Sequence, residues 1–114
     1  MNSRQRYRVF VTEQAERDIE RNEAWWKEAH SPEEAKRWSV AVYEQTSELE
    51  TLPKRFSLVP ENAAFEDEVR SMAVGLGAHR GYRAVFTVND DKVLVLRIRS
   101  QGEGYMRAND IDAA

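Results

Sequence analysis

An arginine inside a β-strand must choose one of two faces, because successive side chains point to opposite sides of a sheet. That choice constrains this chain more than any other feature. Three β-rich runs follow one another between Glu68 and Ser100: Glu68-Val-Arg-Ser-Met-Ala-Val74, Tyr82-Arg-Ala-Val-Phe-Thr-Val88 and Val93-Leu-Val-Leu-Arg-Ile-Arg99. Each carries arginine. A glycine-spaced link joins the first two, and Asn89-Asp-Asp-Lys92 joins the last two.

Register decides which alternating sets share a face. With a two- or four-residue connection, Arg83 would lie beside Leu94, Leu96 and Ile98, and Phe86 beside Arg97. Both faces would then mix charge with bulk hydrocarbon, and a buried unpaired arginine costs several kcal/mol. An odd connection, such as Asn89 to Asp91, separates them. The sequence therefore predicts a three- or five-residue loop or a bulge here. One face would hold Ala84, Phe86, Leu94, Leu96 and Ile98. The other would hold Arg83, Arg97 and Arg99 with Val85, Val93 and Val95. Arg70 alternates with Met72 and Val74, and its face stays open.

Upstream segments supply the cover. Tyr7-Arg-Val-Phe-Val11 reads as a first strand. Thr12 can cap a helix whose first turn holds Glu13 and Glu16. Ala15, Ile19, Asn22, Trp26 and Ala29 then recur at helical spacing, with Trp25 at the border. Ser31-Pro-Glu-Glu34 has the form of a capping box with proline at the first helical position. Ala35, Trp38, Val42, Leu49 and Leu52 form the apolar side of a second helix, ended by Pro53. The short gap between the two implies an αα-hairpin. The stretch 53–64 is a crossing loop pinned by Phe56 and Leu58. From Gly102 onward the tail is small and polar, either loose or ordered only against a partner.

The expected class is α+β, in the order β-α-α-β-β-β. A helical hairpin packs on one face of a small, mainly antiparallel, twisted sheet, and the other face is half-open. The 114 residues suit one domain, 1–114, with a flexible tail from about 102. There is no cysteine, hence no disulfide and no thiol nucleophile. The apolar stretch after the first six residues is too short for a leader, and no run reaches membrane length. A cytoplasmic protein without cofactor or membrane partner is expected. The net charge of −3 argues against a whole-domain nucleic-acid footprint.

Among the remaining polar groups, Glu61, Glu66, Asp67 and Glu68 read as a solvated acidic loop rather than a metal site. His30 and His79 read as loop residues. Gly75-Leu-Gly77 lacks the context of a phosphate loop. The three tryptophans read as core or hairpin-interface residues.

The ordered set of elements resembles the RelE/ParE superfamily of type II toxin–antitoxin toxins. Local motifs agree: Pro60-Glu61, Glu68-Val-Arg-Ser-Met72, Gly81-Tyr-Arg-Ala-Val-Phe86 and Val93-Leu-Val-Leu-Arg-Ile-Arg99. The resemblance spans Tyr7 to about Arg99. It implies a growth-inhibiting toxin, of the kind tied to plasmid stabilisation, held in a hetero-oligomer by a cognate antitoxin. RelE-like members cut messenger RNA on the ribosome; ParE-like members poison DNA gyrase by binding. For a nuclease, the resemblance nominates Arg83 at the scissile phosphate, with Arg70, Arg99 and Tyr105 assisting. Ser100 and Gln101 stand where many relatives carry His or Arg, so a general base is missing. The ParE-like branch is therefore favoured, with Arg70, Arg83, Arg97 and Arg99 as partner-binding residues. The mRNA endonuclease, and an inactive relative that only binds antitoxin, are the alternatives.

Overall fold

A computed structural model describes residues 5–111. Met1 to Arg4, part of the stretch read for a leader, lie outside the described residues. Strand β1 (Arg8–Val11) leads into helix α1 (Glu13–Ala29) and helix α2 (Pro32–Ser47). After a crossing loop come β2 (Arg70–Gly75), β3 (Gly81–Asn89) and β4 (Lys92–Ser100). The sheet order is β1-β4-β3-β2, with β1 parallel to β4 and the other pairs antiparallel. Among the described residues no helix is long and apolar enough to cross a membrane.

The caps fall where their chemistry requires. Thr12 Oγ1 accepts from the Ala15 N–H, and Ser31 Oγ accepts from the Glu34 N–H at 3.0 Å. The reciprocal half of the box at Ser31 is not made: Glu34 instead accepts from Arg37 at 2.6 Å. Replacing Ser31 with alanine leaves one orphan N–H at the head of α2 and is expected to cost about 1 kcal/mol in urea unfolding. Helix α2 stops at Ser47, before Pro53, and tightens into a 3-10 turn over Glu48–Glu50. Leu49 is buried in that turn, while Leu52 is half-exposed at φ +48 and does not extend the apolar side.

The hairpin covers one sheet face. Ala15, Ile19, Trp38, Val42 and Leu49 meet Met72, Val74, Tyr82, Ala84, Phe86, Val93, Val95 and Ile98. Trp38 is fully buried, and Trp26 donates to the Tyr82 hydroxyl at 3.1 Å. Trp25 departs from the expected interface role. It is 56% exposed, edge-on to Trp26 and His30 at the hairpin tip.

The separation of arginine from the main core is present, and of the two expected devices, an odd loop or a bulge, it is a bulge, set inside β4 and not in the connection. Asn89 pairs with Lys92, so the connection is the two residues Asp90 and Asp91, with Asp90 at φ +56. Parity changes inside β4: Val85 faces Arg97 while Phe86 faces Val95, so Leu96 is the extra residue of a bulge. The bulge sits where β1 runs out, since the last β1 pair is Val11 with Val95. Consequently Val93 and Val95, not Leu94 and Leu96, join Phe86 and Ile98 in the core. Leu94 and Leu96 lie on the second side, lining a cavity of about 460 Å³ with Phe65 and Ile111.

The second face is not half-open. Val59, Val69, Val85 and Met106 form a smaller buried cluster, flanked by Phe65 and Ile111. The crossing loop and the tail thus lie over the arginine face, and the tail packs on its own chain as far as Ile111. The outer edge of β2 is also occupied. Gln45 exchanges two hydrogen bonds with the Gly75 backbone, and Arg80 donates to the Ala73 carbonyl. Gly75 has φ +123, and a Cβ there would collide with the Arg80 carbonyl.

Candidate functional site

β3 and β4 set Arg83 directly across from Arg99, and Val85 across from Arg97. Like charges in such register repel unless each has its own counter-group. The chain provides one for each.

Arg83 makes a two-pronged ion pair with Glu61: Nη1 to Oε1 at 3.1 Å and Nη2 to Oε2 at 2.5 Å. Glu61 also accepts from the Met106 N–H at 2.8 Å. Only 8% of Glu61 is exposed. The Arg83 guanidinium holds its carboxyl down at about 2, against the opposing effect of burial and with help from the Met106 N–H. Arg99 is buried beneath the turn Gln101–Glu103, and its Nη2 donates to the carbonyls of Glu103 and Gly104.

Arg97 reaches round the free edge of β4 to α1. Its Nε and Nη2 donate to Asp18 at 2.7 and 3.1 Å. Asp18 is 1% exposed and also accepts the Ile98 N–H at 3.0 Å and Arg21 at 3.0 Å. Beyond Val95 the outer edge of β4 has no strand beside it, so a carboxylate from α1 takes the Ile98 N–H that a strand would have taken. The Asp18 bonds raise the affinity of Arg97 for its proton, so the charge is permanent. Arg97 Nη1 further donates to the Asp110 carbonyl, fastening the end of the tail.

Arg70 pairs in register with Phe86 and so belongs to the helix-covered face, opposite Arg83. It donates to the Phe56 carbonyl at 2.7 Å and pairs with Glu68 at 3.1 Å. Of the nuclease candidates, Arg99 is the cross-strand neighbour of Arg83 but is buried, and only Arg83 and Tyr105 reach a common cavity. They line a cavity of about 350 Å³ with Pro60, Ser71, Ala73, Gln101 and Gly104. Tyr105 is 72% exposed. Arg70 lies across the sheet, and Arg99 lies under the tail turn. Among the described residues no group of three or more His, Asp or Glu is arranged to hold a metal.

Two residues that organise this face were missed. Asp18 was detectable as an acid on the flank of the apolar stripe, next to Ile19. Glu61 was grouped with a solvated cluster, although it lies apart from Glu66, Asp67 and Glu68 and between Val59 and the tail. Only the fold brings it to Arg83.

The model of the ParE toxin of the type II toxin–antitoxin system parDE matches residues 9–105. Among solved structures, the chromosomal ParDE toxin–antitoxin system from P. aeruginosa contains a similar chain. The TM-score is 0.66 at 20% identity, covering 82% of this chain and 95% of that one. No curated protein matches.

Proposed function

The chain belongs to the ParE toxin family of type II toxin–antitoxin systems, and from that premise we propose that it inhibits growth by binding a cytoplasmic target and is neutralised by a cognate antitoxin. The proposed target is DNA gyrase. The observation that carries inhibition by binding rather than by cutting is the closed Glu61–Arg83 pair. A phosphate clamp needs a free guanidinium, and this one already has a bidentate carboxylate. His30, moreover, is stacked on Trp26 at the hairpin tip, far from any role as the base of such a site.

The antitoxin is proposed to meet the hairpin first, because that surface is open as it stands. Contacts to Arg83, Arg97 and Arg99 follow only if the tail over them is lifted, and Arg70 contributes from the other side of the sheet.

Expressed without an antitoxin, the chain is expected to arrest growth, induce a DNA-damage response and change plasmid supercoiling. Normal growth with normal supercoiling would sink the proposal, and tight antitoxin binding alongside normal growth would mark an inactive relative. The shared cavity of Arg83 and Tyr105 favours one rival, a ribosome-dependent mRNA endonuclease. Primer extension after induction separates the two: discrete cuts abolished by Arg83→Ala belong to the nuclease, and intact transcripts belong to gyrase poisoning.

A further inference from the structure

The second sheet face holds a cavity that the proposed function does not use. The bulge places Leu94 and Leu96 on this side of β4, and the crossing loop and the tail close over them without filling the space. A cavity of about 460 Å³ lies between Phe65 and Val69 of the loop, the two leucines, and Ala108 and Ile111 of the tail. That volume falls within the range of about 300–1,000 Å³ typical of small-molecule pockets. Phe10 lies in register beside Leu94, is 44% exposed, and carries the apolar floor on toward the sheet edge.

The walls are fastened on both sides. The Val69 N–H donates to Asn62 Oδ1 at 2.7 Å, and the Thr87 hydroxyl donates to the Glu68 carbonyl at 2.9 Å. On the tail side, Arg97 donates to the Asp110 carbonyl and the Met106 N–H to Glu61. The rim is acidic. Glu66 and Asp67 line the cavity, are exposed, and hold no ion pair among the described residues. Two cations share this face but do not line the cavity: Arg8 is paired with Asp91, and Lys92 pairs in register with Asn89. Two carboxylates beside hydrocarbon fall short of the about six to eight oxygens that a calcium ion takes. A hydrocarbon body carrying one positive charge meets both the floor and the rim.

We propose that this cavity binds a small organic ammonium ion with a ring-sized apolar body, the body on Leu94 and Leu96 and the charged nitrogen against Glu66 and Asp67. Ala108 and Ile111 form part of the wall, so a bound amine holds the tail in place. The same tail covers Arg99 and fastens to Arg97. A ligand that binds only the closed tail shifts its opening equilibrium by mass action. The site thus lets a small amine govern whether the arginine face can be reached. The inference stands on the cavity alone and goes beyond the toxin reading.

The test uses the full chain and three probes with one ring system: tryptamine, indole-3-acetate and indole. Binding is mapped by amide NMR shifts and titrated at low and high salt. Tryptamine is expected to bind at least tenfold tighter than either of the others and to weaken as salt rises. Its shifts are expected at 64–69, 94–96 and 108–111. Glu66→Gln/Asp67→Asn is expected to bring tryptamine down to the level of indole. Glu16→Gln/Glu20→Gln removes the same charge from the hairpin and is expected to leave the preference intact, which separates the cavity from overall charge. With tryptamine at about ten times its dissociation constant, tail amides are expected to exchange hydrogen about tenfold more slowly. No binding, equal binding of the three probes, shifts away from the cavity walls, or an unchanged preference in the Glu66/Asp67 variant would overturn the site. Unchanged tail exchange at saturation would overturn its hold on the tail. Amide dispersion shows that each variant is folded. Growth arrest is measured separately: a toxic chain without the amine preference loses only this inference, and a harmless chain that keeps it loses only the toxin reading.

Discussion

Replacing Asp18 with alanine is expected to lower the unfolding free energy by roughly 3–5 kcal/mol, the cost of breaking a buried ion pair from one side. Arg97 would keep its charge with its main partner gone, and its side chain is only 13% exposed. The Ile98 N–H would lose its acceptor at the same time. Such a loss is a large share of a stability that is normally about 5–15 kcal/mol for a domain. Urea unfolding followed by tryptophan fluorescence reads it directly, since Trp38 is buried against Tyr82. The double variant Asp18→Leu/Arg97→Met is expected to recover much of the loss, because an apolar pair can replace a buried salt bridge. A single variant within about 1 kcal/mol of the parent would show that the pair is not the fastening described.

Glu61 is expected to make stability depend on acid. Its folded value of about 2 lies below its ordinary value of 4.5. A depressed carboxylate stabilises the fold fully above its unfolded value, and the contribution disappears as pH falls through the folded value. The unfolding free energy should therefore fall between about pH 5 and pH 2, with about 3 kcal/mol traceable to this group. Glu61→Gln removes the charge but keeps the shape. It should cost a similar amount at neutral pH and flatten the difference between parent and variant toward pH 2. Parallel pH profiles for the two proteins would sink this assignment. Because Glu61 also holds the Met106 N–H, the variant should expose the tail amides to faster hydrogen exchange.

Helix positions, the cap at Ser31 and the βααβββ order were legible because each rests on local chemistry. The sharing of one face by Arg83, Arg97 and Arg99 was also legible, because alternation and the cost of burying charge act on neighbouring residues. A parity change by loop or bulge was legible too, but its place at Leu96 was not, since that place is set by the end of a parallel pairing with a strand more than 80 residues earlier. The counter-charges were hidden for the same reason. Asp18 and Arg97 are 79 positions apart, and Glu61 and Arg83 are 22 apart. Sequence located the cations and wrongly left them open to solvent, because pattern within a strand says nothing about the group that arrives from elsewhere. The cover over the second face was missed because one methionine, Met106, anchors a tail that otherwise looks polar.

The pairing of β1 with β4 also fixes the order in which the molecule can be made. β1 has β4 as its neighbour in the sheet, and Arg8 meets Asp91 across 83 positions. At ribosomal rates of about 5–20 residues per second, the first strand waits on the order of 4–16 s for its partner to be synthesised. During that interval the hairpin can form from local contacts, but it has no sheet to pack on. A chain cut short before Val95 leaves β1 without its parallel neighbour and Thr12 without the backbone carbonyls it holds. The finished surface exists only once β4 has been synthesised, so translation products that stop before Val95 are expected to be inert.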